Sequence, residues 1–136
     1  MVDLVVTPAN VAGSGNATLE TGLAGATILA GQVVYREAAT GLLKLADTNS
    51  VTVEQRTPYG IAMHGSLANQ PLTIARSGPI TIGSTLVAGQ VYCTSETPGG
   101  IQPVADLGAG ELTSVLGVAT STTVLDLRIH SSGVVL

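Results

Sequence analysis

The sequence predicts an all-β fold: a single compact β-barrel or sandwich built from two internally duplicated β units, with an extended N-terminal arm. Three observations lead there. Residues 30 to 78 recur imperfectly in residues 88 to 133, short apolar runs rich in β-branched residues are bounded by Gly, Pro, Asn or Ser, and no segment carries the 3.6-residue periodicity of a long helix. Residues 1–17 read as arm and connector, and 18–136 as the duplicated domain.

The duplication rests on matches in a fixed order. Ala30-Gly31-Gln32-Val33 returns as Ala88-Gly89-Gln90-Val91 (88−30 = 58), Ala46-Asp47 as Ala105-Asp106 (105−46 = 59), and Tyr59-Gly60-Ile61-Ala62 as Leu116-Gly117-Val118-Ala119 (116−59 = 57). Leu72-Thr73-Ile74 with Ser77-Gly78 returns as Leu127-Arg128-Ile129 with Ser132-Gly133 (127−72 = 55). An open solenoid needs about three stacked units or more, so two copies point instead to two halves sharing one core about a pseudo-twofold axis.

Taken in order, Val2 to Thr7 reads as a short strand ended by Pro8, Ala9 to Ala17 as a connector, and Thr18 to Thr27 as a bridge to the first copy. The first copy offers strands at 32–37, 42–46, 60–65 and 72–76, the second at 90–94, 101–105, 112–119 and 123–130. Thr40-Gly41 and Pro98-Gly99-Gly100 mark hairpin turns at equivalent places. Thr48 to Arg56 has room for one helical turn, which the β-branching of Val51, Thr52 and Val53 opposes. In the last strand Leu125, Leu127 and Ile129 alternate with Asp126, Arg128 and His130, so one face is core and the other wet; Leu72 and Ile74 take the inward places in the first copy.

Charged residues make up 10% of the chain, far below the roughly 25% of ordinary soluble domains, and there is no Phe or Trp and three Tyr. A core without large rings buries less apolar area per residue, and a surface short of charge leaves apolar area for partners. The composition favours a subunit of an assembly. A net charge of −4 with five scattered Lys and Arg speaks against nucleic acid as a partner. The longest charge-free stretch, Ser77 to Ser95, is broken by Pro79 and several glycines and does not read as a membrane span. The N-terminus lacks the basic stretch and apolar run of a secretory signal, and a lone Cys93 fits a reducing compartment.

Catalytic chemistry is not legible. There is no G-x-S-x-G elbow, and no spacing ties His64 or His130 to Asp47, Asp106 or Asp126 as base and orienting acid. No C-x-x-C or H-x-x-x-H pair suggests a metal, and Cys93 reads as a small buried apolar side chain. Gly108-Ala109-Gly110 continues into Glu111 and reads as a turn, not a phosphate loop, and Asn16-Ala17-Thr18 is a chance sequon. Asp47 and Asp106, duplicated at strand ends, read as acceptors for local backbone N–H groups. The expectation is a protein with no enzymatic activity, no catalytic or metal-binding residues and no cofactor.

One resemblance goes further. A-G-Q-V-V-Y, T-G, L-A-D, Y-G-I-A, Q-P-L-T and S-G-P in order, followed by T-L-V-A-G, P-G-G-I, P-V-A-D, G-A-G-E and L-G-V-A-T-S, resemble a family of tailed-bacteriophage capsid cement, or head decoration, proteins from about Leu4 to the C-terminus. The resemblance implies a β-rich protein of the virion that binds the outside of the phage head and reinforces contacts between capsomers. It implies the major capsid protein and the chain itself, as a homotrimer, for partners, with no nucleic acid and no membrane, and synthesis in the bacterial host cytoplasm. Val2, Leu4 and Val6 are the residues expected to contact capsid or neighbouring subunit, as an arm strand added to another sheet. Removing Met1 to Pro8 should then leave the duplicated core folded. Another phage structural subunit (head fibre, connector or tail component) and a carbohydrate-binding module are the alternatives.

Overall fold

A computed structural model describes residues 4–13, 16–47, 53–95, 97–106 and 112–135. It is all-β. Ten strands form one curled antiparallel sheet with the shape of a half-barrel: β1 (Val11–Gly13), β2 (Thr18–Leu23), β3 (Val33–Arg36), β4 (Leu43–Leu45), β5 (Gly60–Ala62), β6 (Pro71–Ile82), β7 (Val91–Thr94), β8 (Ile101–Pro103), β9 (Leu112–Ala119) and β10 (Val124–Val135). Short 3-10 turns occupy Pro8–Asn10, Val53–Arg56 and Val104–Asp106. The helical turn expected within 48–56 is therefore the single turn Val53–Arg56, and Thr48 to Thr52 lie outside the described residues.

Strand order is β4-β3-β5-β6-β10-β9-β7-β8, so each half lays four strands in the same sequence and the halves meet along β6 and β10. The matched motifs make matched bonds. The Gly31 amide donates to the Ala62 carbonyl at 2.8 Å and the Gly89 amide to the Ala119 carbonyl at 2.7 Å, while Ala62 and Ala119 donate back to Gln32 and Gln90 at 2.9 and 3.0 Å. Both glycines sit at positive φ, +87° and +84°, a conformation open to residues without a Cβ. The two hairpins close alike, with Glu37 donating to Leu42 at 2.9 Å and Ser95 to Gly100 at 3.1 Å.

The expected register differs in one place. Ala62 pairs with the β6 residue Ile74 and Ala119 with the β10 residue Leu125, an offset of 125−74 = 51, not the 55 that aligns Leu72 with Leu127. The loop between β5 and β6 is longer than that between β9 and β10, and the repeated L-x-I letters hide this insertion.

Three elements also depart from the expected map. Residues 4–7 form no ladder, Val11–Gly13 is a strand within the supposed connector, and the supposed bridge contains β2. The two added strands both pair with β6, which at 12 residues outruns its predicted length and serves as the hub of the sheet. It pairs with β2 along 71–77, with β1 along 80–82, with β5 at 74–75 and with β10 along 77–81.

The core is divided. The larger cluster joins both halves through Val33, Tyr35, Ile61, Ile80, Ile82, Leu86, Tyr92, Ile101, Leu116, Leu125 and Leu127. A smaller one, Ala24, Ile28, Val34, Leu43, Ala62, Leu72 and Ile74, lies on the other side of β3, β5 and β6, where the segment after β2 covers the sheet. The unbroken run Val33-Val34-Tyr35 follows: Val33 and Tyr35 face one cluster and Val34 the other. Leu125 and Leu127 are fully buried and Arg128 and His130 exposed, in keeping with the alternation read from the sequence.

Lys44 and Glu37 clamp the β3–β4 hairpin at 2.7 Å. The hydrogen bond from Lys44, helped by that from Thr40, holds the Glu37 carboxyl below its ordinary value, and the Glu37 bond raises Lys44. A lowered carboxylate contributes stability that is present above its unfolded pKa and lost as pH falls through the folded one. Thermal melts should therefore show Glu37→Gln less stable than the parent at pH 7, with the gap closing as the solution is acidified below about pH 4.

Candidate functional site

Of the three residues expected to make the arm contact, Val2 lies outside the described residues. Leu4 and Val6 are placed on the chain's own body. Leu4 packs against the larger core and its amide donates to the Ile101 carbonyl at 2.8 Å; Thr7 donates to Gly83 at 2.8 Å. Both aliphatic residues line a cavity of about 220 Å³ with Leu29–Gln32 and Thr97–Ile101, and Val5 between them points out, 86% exposed. The alternation of an extended segment is present, but its inward side is already spent within the chain. Deleting Met1 to Pro8 should accordingly lower the denaturation midpoint of the isolated protein by the equivalent of about 1–3 kcal/mol, the worth of one lost buried aliphatic contact, as urea titration would measure.

The sequence's candidate bases are engaged or dispersed. His64, in the loop after β5, accepts the Thr73 amide at Nε2 (3.0 Å), so its Nδ1 carries the proton and donates to the Gly65 carbonyl at 2.8 Å. His130 stands on the wet face of β10, and Asp126 pairs with Arg128 at 3.4 Å. Asp47 follows β4, whereas Asp106 ends the 3-10 turn after β8, so the repeated dipeptide adopts two local structures. Residues 107–111, with the Gly108-Ala109-Gly110 turn, lie outside the described residues. Among the described residues no group of three or more His, Cys, Asp or Glu is placed to hold a metal ion. Cys93 is fully buried on β7, its Sγ 3.5 Å from the Gln102 carbonyl. A thiol reagent such as Ellman's should leave it unmodified in the native protein and react fully once denaturant is added.

The most elaborate side-chain arrangement on the surface was not singled out in the sequence. Tyr35 and Tyr92 are buried, whereas Tyr59, the residue just before β5, is half-buried. The Arg76 guanidinium of β6 stacks on its ring, 3.6 Å from the centroid, and Arg36 of β3 stands 5.8 Å away over the same ring. The Tyr59 hydroxyl donates to Glu20 of β2 at 2.8 Å and accepts from Arg36 at 3.4 Å, while Arg76 pairs with the other Glu20 oxygen at 3.3 Å. Three strands, β2, β3 and β6, and the residue just before β5 thus contribute one side chain each. A cation on an aromatic face contributes roughly 0.5–1 kcal/mol when exposed, so the set is held mainly by the sheet that carries it.

Beside the ring a shallow groove of about 510 Å³ is lined by Arg36, Ala38, Glu54, Thr57, Pro58 and Tyr59. Glu54 accepts the Ala38 amide and bounds the groove on one side. The signal that could have found this place was the mismatch between copies. Tyr59 corresponds to Leu116, which is fully buried, and Arg36 to the equally buried Thr94. What is core in the second half is surface in the first.

Comparison of the chain with protein-family models and with curated proteins yields no match.

Proposed function

We propose that this chain is a structural decoration protein of a tailed-phage head, attached to the outer capsid surface and reinforcing contacts between capsomers. The observation that carries the reading is the ordered series of motifs, from A-G-Q-V-V-Y to L-G-V-A-T-S, that runs through nearly the whole sequence. The fold is of the β-rich kind such a role uses. The surface supports it too: Leu19, Leu23, Leu29, Leu67, Val87 and Val118 are all at least 40% exposed in a chain with few charges. Exposed aliphatic groups in that number favour burial against neighbours. Leu19 and Leu23 lie on β2, which pairs with β6 alone among the described strands and so offers a free edge for strand addition.

Decoration of this kind works by multivalency, because many modest contacts over a shell oppose rupture together. We propose a homotrimer as the attached unit, a symmetric assembly able to cover part of this apolar surface. The test is addition of the purified protein to expanded, decoration-free phage capsids, followed by cryo-EM. The expected result is ordered density on the outer surface bridging capsomers, and a higher temperature of genome release. Absence from the shell with density at the tail or connector would replace this reading with that of another virion subunit. A protein that sediments as a monomer at micromolar concentration and sits at isolated capsid positions would remove the trimer.

A further inference from the structure

The groove beside Tyr59 combines features that the described surface otherwise keeps apart: a partly exposed aromatic ring, an apolar wall and a cation without a counter-ion. Arg36, Lys44 and Arg76 are three of the five basic residues of the chain. Lys44 is matched by Glu37 and Arg76 by Glu20. Glu54, the acid on the groove wall, already accepts the Ala38 amide and also lies in the field of Lys44. Arg36 forms no ion pair among the described residues, and its bond to the Tyr59 oxygen is long at 3.4 Å. Most of its five N–H donors remain to be used, in a planar fork that fits a carboxylate with two parallel bonds.

We propose that this groove docks an acidic side chain, Asp or Glu, of a protein partner. Its carboxylate lies on the Arg36 fork, and an adjoining apolar residue rests on the exposed Ala38 and the free part of the Tyr59 ring. The unused Arg36 donors select this occupant, because their planar fork fits a carboxylate, while the one acid on the lining, Glu54, is turned to the Ala38 amide. Tyr and Arg are also the residue types that dominate binding energy at protein interfaces. Arg76 and Glu20 act as positioning residues: the stack and the bond to the hydroxyl fix the ring before anything binds, which lowers the ordering cost of docking. The second half has no counterpart, because Leu116 and Thr94 are buried there.

The inference stands on this geometry and not on the decoration reading, so either can fail alone. The probe is the pentapeptide acetyl-Gly-Leu-Asp-Leu-Gly-amide, titrated into the full-length, isotope-labelled protein and followed by NMR, with the Asn analogue as comparison. Saturable shifts at the Arg36 Nε–H and the Tyr59 amide are expected, with a dissociation constant on the order of 1 mM. The Asn analogue and the Arg36→Gln variant should each bind at least about tenfold more weakly, Arg36→Lys should fall between, and Arg128→Gln, at another exposed arginine, should bind like the parent. Unchanged shifts far from the groove will show that the variants are folded. Equal binding of the two peptides, equal losses at Arg36 and Arg128, or no saturation would overturn the proposal. So would Tyr59 shifts that respond to maltohexaose and ignore Arg36→Gln, which would make the groove a sugar platform.

Discussion

Replacing Leu127 by alanine is expected to lower the free energy of unfolding by about 2–5 kcal/mol, the largest loss from any single truncation proposed for this chain. Leu127 is fully buried in the larger core, on the central strand β10, opposite Gly117 of β9 and Gly78 of β6. Backbone surrounds it on both sides, so the cavity left by three lost carbons has little means of collapsing. The chain has no Phe or Trp to fill the space, so it falls to the Val, Ile, Leu and Tyr side chains of the same cluster to lean in. Leu67→Ala, at a residue 58% exposed, should stay within about 0.5 kcal/mol of the parent. Guanidinium titrations of both variants decide the matter. Equal midpoints would mean that the core is not where the structure puts it.

Gly117→Ala is the second change with a large expected effect, and its cause is the opposite one. A methyl group at Gly117 would overlap the Asp126 carbonyl oxygen, with the Asp126 carbonyl carbon at 2.9 Å and the Leu127 Cα at 3.1 Å. These are backbone atoms of the paired strand, which no rotamer change can move aside. β9 and β10 must separate, and the expected loss is at or above the top of the roughly 1–3 kcal/mol range for overpacking. Its counterpart Gly60 meets the Ala75 carbonyl oxygen at 2.7 Å, so Gly60→Ala should be costly but less so. Gly89 has no atom within 4 Å and only its φ of +84° to forbid a side chain, so Gly89→Ala should cost about 1 kcal/mol. The order Gly117, Gly60, Gly89 in chemical melts tests the close approach of β9 to β10 against the turn geometry. Gly89 as the most damaging of the three would refute it.

Strand identity in the repeated region was legible in the sequence because a strand half in water and half in the core writes its burial as alternation. Leu125, Leu127, Arg128 and His130 on β10 obey it, and the copied A-G-Q and G-I-A/G-V-A segments make the same turn-and-ladder bonds in both halves. Alternation says which side is buried, but not against what. That Val34 belongs to a second small core, that β2 covers part of β6, and that Leu4 is held by the chain's own Ile101 are all contacts between residues far apart in sequence. No local pattern encodes such contacts. The same limit hid the Tyr59 site. Its four residues, Glu20 of β2, Arg36 of β3, Tyr59 just before β5 and Arg76 of β6, share no spacing. The sequence held the mismatch of Tyr59 with Leu116, but only the tertiary packing, which buries Leu116 in the larger core and leaves Tyr59 half-exposed against the smaller one, turned that mismatch into a surface site.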